Sequence, residues 1–138
     1  MRFFDFVRTG KVRKSRPDLQ LSKSLVRMSE NHLVSIGGLE LNCTTSSTIM
    51  TTYYEALREV VEAVATKEGY KVYSHEAFTY FLKDKGENLI SLKFDKFRKI
   101  RNNINYYGKS IGPLSVKSYM NEIEKMIDEL KQKYLSGV

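Results

Sequence analysis

The chain has 138 residues, 41% hydrophobic and 28% charged, with a net charge of +7; this balance excludes a disordered polymer and suits one globular domain. The single cysteine, Cys43, excludes an internal disulfide framework and a cysteine-based zinc site; with only two histidines besides, no metal site and no cofactor are expected. No apolar run approaches the ~18 residues of a membrane span and the first residues lack a signal-peptide core, so a cytoplasmic setting without membrane contact is expected. The charge is uneven. Residues 1–16 hold six basic side chains against Asp5 and read as a basic N-terminal arm, leaving residues 17–138 as a nearly neutral body. Within the arm, Arg13, Lys14 and Arg16 are candidate phosphate contacts.

Past the arm, Ser15 and Asp18 bracket Pro17 as a helix start, and Leu21, Leu25, Met28, His32 and Ile36 recur at helical spacing up to Gly37-Gly38. That stripe places His32 in the core. Leu39–Ser47 is polar and reads as a connection. The second helix carries Met50, Tyr53, Leu57, Val60, Val61 and Val64 on one stripe, with Glu55, Arg58, Glu59 and Glu62 around it, and Gly69 stops it. Ser74 caps a shorter helix through Ala77, Phe78, Phe81 and Leu82, closed by Gly86, in which His75 is expected to pack at the helix start. A fourth helix runs from about Leu92 to Tyr107 with Gly108 as its terminator. The last begins at Ser115 behind Pro113, with Leu114 and Tyr119 as a hydrophobic staple and a stripe from Val116 to Tyr134. No segment shows sustained strand alternation. The expected fold is all-α, an up-and-down bundle of four or five helices.

The unusual chemistry lies in the fourth helix. At 100° per residue, Phe94, Phe97, Ile100, Ile104 and Tyr107 share the core face, Arg101 and Asn105 lie at its edge, Arg98 and Asn102 flank them, and Tyr106 points away. Three asparagines in four positions disfavour a helix interior by several tenths of a kcal/mol each. Stacked with two arginines, they offer forked donors for phosphates or base edges. Arg98, Arg101, Asn105 and Tyr107 are therefore expected to contact nucleic acid.

The run Arg101-Asn102-x-x-x-Tyr106, late on a long helix, resembles the HEPN family. Tyr53-Tyr54-Glu55, Gly69-Tyr70, Tyr73-Ser74-His75-Glu76 and Arg98-x-x-Arg101-Asn102 look like its small prokaryotic, especially archaeal, members, over roughly residues 45–135. The resemblance implies a helical bundle that forms a homodimer, pairing the motif helices around a shared cleft. It also implies metal-independent ribonuclease activity of toxin–antitoxin type, with a small nucleotidyltransferase-like antitoxin as partner. Arg101, Asn102 and Tyr106 become the candidate catalytic residues. One departure stands out: the family's motif has a histidine where residues 106–108 here read Tyr-Tyr-Gly. Arg101 can still stabilise a charged phosphorane. A phenol that titrates near ~10 is a poor substitute base for Tyr106 to offer. Three readings stay open at this point: a ribonuclease, a non-catalytic dimer that binds RNA or a nucleotide in the same cleft, and a helical adaptor for a nucleotidyltransferase. Glu55 is expected to be an ordinary surface glutamate.

Overall fold

Six helices and one short two-stranded ribbon follow one another along residues 1–138 of the computed structural model: α1 (Phe3–Arg8), β1 (Val12–Lys14), α2 (Leu19–Ile36), α3 (Ser46–Lys67), β2 (Tyr70–Val72), α4 (His75–Asp84), α5 (Asn88–Tyr107) and α6 (Pro113–Tyr134). The fold is an all-α helical bundle, and α2–α6 are the five helices that periodicity predicts. Helix α3 is its axis. Apolar residues around its whole circumference, including Met50, Tyr54, Leu57, Val61 and Val64, are shut off from solvent. A helix apolar on all sides must be covered on all sides, and α2, α4, α5 and α6 do so.

Helix α2 meets α3 through small residues. Ser22 Oγ donates to the Ala63 carbonyl at 2.8 Å, and Ser29 Oγ to the Ala56 carbonyl at 2.8 Å, seven residues along each helix. Serine against alanine lets two backbones approach closely while each hydroxyl still finds an acceptor. This corrects the expected stripe of α2. Its buried positions are Ser22, Leu25 and Ser29, whereas Leu21 and Met28 are 40% and 48% exposed. Apolarity alone marked the wrong edge of the helix, because the contact selects for size. Asp18 caps α2 directly, its Oδ1 accepting from the Leu21 amide at 3.0 Å.

The N-terminal sixteen residues are not a free arm. Phe3, Phe6 and Val12 join the core, with Phe3 edge-on to Phe81 and Tyr70. Strand β1 pairs antiparallel with β2, Val12 opposite Val72 and Lys14 opposite Tyr70. Three residues per strand are too few to show as alternation. Gly69 makes this docking feasible: it sits at φ +92°, and a Cβ there would lie 2.7 Å from the Ser15 carbonyl. Arg13, Lys14 and Arg16 remain exposed on the outside of the ribbon and its exit.

Two further boundaries differ from expectation. Helix α6 starts at Pro113, with Gly112 as its N-cap and Leu114 87% exposed, so no staple forms; proline at the first helical position needs none, since its fixed φ already suits the helix. Helix α5 overruns the core. Phe94 and Phe97 are fully buried, Ile100 and Ile104 partly so, and Tyr107 is 73% exposed rather than on the core face. Gly108, left-handed at φ 62°, ends it. The last turn and a half of α5 therefore projects past the packed centre, and that is where the unusual residues lie. No helix is long and apolar enough to cross a membrane.

Candidate functional site

Three helices converge on the guanidinium of Arg101. Helix α5 supplies Arg101, Asn102, Asn105 and Tyr106; α3 supplies Tyr54, Glu55 and Arg58; α4 supplies its first residue, His75. An aromatic layer fixes their relative positions: Tyr54 packs on Phe94 with ring centroids 5.6 Å apart, Phe78 on Phe94 at 6.2 Å, and His75 stacks on Tyr54 at 5.9 Å.

Arg101 Nη2 lies 3.0 Å from His75 Nδ1, and the Tyr54 hydroxyl lies 3.0 Å from the same ring nitrogen. Arg101 Nη1 donates to Asn102 Oδ1 at 2.8 Å and reaches the Tyr106 hydroxyl at 3.4 Å. Its guanidinium carbon stands 5.3 Å from the Tyr54 ring centre and 5.8 Å from that of Tyr106, so the cation is held between two aromatic faces. Arg101, Asn102 and Tyr106 are thus brought together. His75, from a different helix, adds an imidazole to the same cluster.

The electrostatics make this imidazole unusual. Burial disfavours its charged form, and the nearby Arg101 and Arg58 add to that, so its pKa falls from 6.5 to about 4. Burial likewise pushes the Tyr54 phenol up, more strongly than Arg101 draws it down, so Tyr54 stays a protonated donor. On the flank, Arg58 is clamped by Glu55 and Glu62. Burial alone would raise the Glu55 carboxyl, but the hydrogen bond and charge of Arg58 outweigh it and hold it below its ordinary range. Glu55 is therefore more than a surface carboxylate: it is an ionised wall of the site.

Beside this cluster opens a cleft of about 250 Å³ lined by His32, Thr51, Thr52, Glu55, Arg101 and Asn105, with no apolar side chain among them. It is smaller than the ~300–1,000 Å³ of most small-molecule pockets and lacks their apolar walls. A phosphodiester with its sugar suits it better than an aromatic cofactor. His32 belongs here and not in the core; its side chain is 37% exposed, because α2 turns its Ser22–Ser29 edge inward instead.

The other predicted contacts are placed differently. Arg98 is 15% exposed and engaged by Asp95, its Nε at 3.1 Å and Nη2 at 2.8 Å from Oδ1. Tyr107 is exposed one residue beyond Tyr106. Arg13, Lys14 and Arg16 ride on the β-ribbon, where β1 packs on β2 and α1, and no hydrogen bond or ion pair links them to Arg101. No three His, Cys, Asp or Glu side chains gather as a metal-binding group. Sequence reasoning passed over Tyr54, which falls in the core of α3, and assigned His75, which follows a helix cap, to packing at the helix start. The available signal was that Tyr53-Tyr54-Glu55 and Ser74-His75-Glu76 are among the segments that carry the family resemblance. Comparison with known protein families, with curated proteins and with solved structures finds no significant match to this chain.

Proposed function

We propose that the chain is an HEPN-like RNA-binding protein whose Arg101–His75 pair cleaves the RNA phosphodiester without requiring a metal ion. The observation that supports this reading is the 3.0 Å contact between Arg101 Nη2 and His75 Nδ1 at the edge of a wholly polar cleft. A permanent cation beside a neutral imidazole is the pair that RNA transesterification needs.

In that reaction the ribose 2′-oxygen attacks the adjacent phosphorus, the bond from phosphorus to the 5′-oxygen breaks, and a 2′,3′-cyclic phosphate and a 5′-hydroxyl form. Arg101 stabilises the negative charge that builds on the phosphorane oxygens. His75 accepts the 2′-hydroxyl proton. In the resting site the Arg101 charge helps keep His75 a weak base. An anionic phosphate that draws the guanidinium toward itself removes one of the two donors on Nδ1 and offsets the charge that suppresses its protonation, and the Tyr54 hydroxyl can turn to accept from the ring once it is protonated. Tyr54 holds the ring in place, and Asn102 holds the guanidinium. The Glu55 carboxylate offers an acceptor for a ribose hydroxyl, a means of telling RNA from DNA. Tyr106 and Tyr107, 69% and 73% exposed, offer faces on which bases stack.

Pairing of two copies along this projecting end of α5 would set the two tyrosines of each copy at the rim of a shared cleft, in keeping with the homodimer that the resemblance implies. A purely adaptor role beside a nucleotidyltransferase-like partner gives no reason for a charged cleft free of apolar side chains.

The test is binding and cleavage of labelled RNA oligonucleotides in excess chelator, with the wild type beside Arg101→Ala. Cleavage leaving cyclic phosphate ends is expected, and the variant should lose at least tenfold in affinity, the ~1.4 kcal/mol of one charge-assisted contact. A folded wild type that neither binds nor cuts RNA overturns the reading.

A further inference from the structure

Opposite Arg101 in the cleft stands a second imidazole with a support of its own. His32 Nδ1 lies 2.7 Å from Glu59 Oε1, and Glu59 is completely buried. Sequence patterning places Glu59 on the polar side of α3; the structure puts it between α3 and α2, one turn beyond the Ser29–Ala56 contact. Its other oxygen, Oε2, is buried with no hydrogen-bond partner at all. Burial raises the Glu59 carboxyl, and the hydrogen bond to His32 works against that rise.

As a packing element this arrangement is poor. An acceptor sealed from water without a donor destabilises the fold, and buried ion pairs are commonly replaced by apolar side chains with no loss of stability. What the carboxylate does accomplish is to fix a ring. With Nδ1 held against the carboxylate, Nε2 is the ring nitrogen left to the cleft; the carboxylate holds the half-exposed imidazole along the cleft wall and supports its doubly protonated form, in which Nε2–H donates. Of the six cleft residues, Thr51 and Thr52 donate their hydroxyls to the Ser47 and Thr48 carbonyls, at 3.0 and 2.8 Å, and have only lone pairs to offer a ligand. Glu55 is engaged by Arg58. His32 is thus, with Arg101 and the Asn105 amide, one of the three cleft side chains able to donate to a bound ligand, and the only imidazole among them.

We propose that His32, oriented by the buried Glu59, is the second proton-transfer group of the Arg101 cleft and delivers a proton to the leaving 5′-oxygen of RNA. This rests on the phosphodiester reading above and completes its proton balance. One proton passes from the 2′-hydroxyl to His75 as the bond from the 2′-oxygen to phosphorus forms. One passes from Nε2–H of the doubly protonated His32 to the 5′-oxygen as its bond to phosphorus breaks, leaving the neutral ring with its proton on Nδ1 against Glu59. Exchange with water then resets both rings. His32 is the catalytic residue here and Glu59 its positioning residue.

The experiment combines ring-nitrogen NMR of the full chain with cleavage assays, using a 2′-deoxy dinucleotide as a probe that binds but cannot be cut. In the free protein His32 is expected to keep a proton on Nδ1 whether or not Nε2 is protonated, and the probe should shift the His32 Nε2 resonance together with those of Arg101. His32→Gln should cut RNA at least 100-fold more slowly while binding the probe within about threefold of wild type, as removal of a general acid does. Glu59→Met should melt no lower than wild type yet lose the Nδ1–H signature and at least tenfold in cleavage rate. If the probe shifts Arg101 and leaves His32 unmoved, or if His32→Gln cuts at the wild-type rate, the role of His32 is overturned and the RNA reading stands. If neither the probe nor an intact RNA oligonucleotide binds, the RNA reading and the role of His32 fail together.

Discussion

Nδ1 of His75 lies 3.0 Å from Nη2 of Arg101. A guanidinium can only donate hydrogen bonds, so in this contact the ring nitrogen accepts and the imidazole is neutral, with its proton on Nε2. Arg101 is therefore a charge that, with burial, keeps its neighbour unprotonated, and in the proposed reading it is also the group that meets the phosphate. Ring-proton NMR titration tests this directly. Wild-type His75 should stay neutral down to about pH 4, and Arg101→Ala should raise its midpoint. The rise should stop short of 6.5, because burial is the larger cause of the depression. An unmoved midpoint would separate the two side chains electrostatically.

The same depression links pH to stability. With a folded pKa of about 4 against 6.5 for the free ring, the unfolded chain binds a proton between those values that the folded chain does not. The contribution of His75 is fully present above pH 6.5 and is lost as pH falls toward 4. Glu59, whose carboxyl is raised, acts with the opposite sign, and the lowered Glu55, Glu87 and Asp95 lose their contributions only in more acidic solution. Urea midpoints between pH 7 and 4.5 should therefore fall more steeply for wild type than for His75→Gln, in which the other groups are unchanged. Parallel slopes would contradict the neutral, buried ring.

Removal of residues 1–16 should destabilise the bundle and not merely weaken RNA binding. The deletion takes Phe3, Phe6 and Val12 from the core and leaves β2 without its partner. Truncating a single buried phenylalanine costs ~3–5 kcal/mol, so a domain with an ordinary margin of stability loses most of it. Chemical denaturation of the truncated chain measures this; an unchanged midpoint would restore the picture of a free arm.

The close approach of α2 and α3 makes a size-sensitive prediction. Ser29→Leu forces the helices apart and should cost ~1–3 kcal/mol. Ser29→Ala removes only one hydroxyl contact, the 2.8 Å bond to the Ala56 carbonyl, and should cost about 1 kcal/mol. Equal effects from the two substitutions would mean that the interface is loose.

How much of this was legible beforehand follows from which interactions are local. Helices α3 to α6 announce themselves because Leu57, Phe78, Phe97 and Ile127 repeat at helical spacing and Gly69, Gly86 and Gly108 stop the chain after each of the first three. The inward edge of α2 was hidden, because Ser22 and Ser29 are chosen for small size and the period of apolar residues is blind to that. Helix α1 and the ribbon were hidden because six and three residues are too short to show a period; only the pairing of Val12 with Val72, sixty residues apart, creates them. At the site, Arg101, Asn102 and Tyr106 share one helix and were singled out together by the motif, but helical spacing turned Tyr106 away and the reach of the Arg101 side chain to its hydroxyl shows only in the structure. His75 and Tyr54 reach Arg101 only through the packing of α3, α4 and α5, and no spacing within one segment encodes that. Glu59 is the instructive miss: its chemistry says surface, and only the partner on α2 accounts for its burial.

The central claim is that Arg101 and His75 act as one unit on RNA, and a double-mutant cycle on cleavage tests it most directly. Rates are measured in chelator for wild type, Arg101→Ala, His75→Gln and the double variant, each checked to be folded by its melting curve. The expected result is that each single variant loses most of the activity, at least 100-fold, and that the double variant is hardly worse than either, as for residues acting through a shared step. Losses that multiply, or a His75→Gln variant that cuts at the wild-type rate, would contradict it.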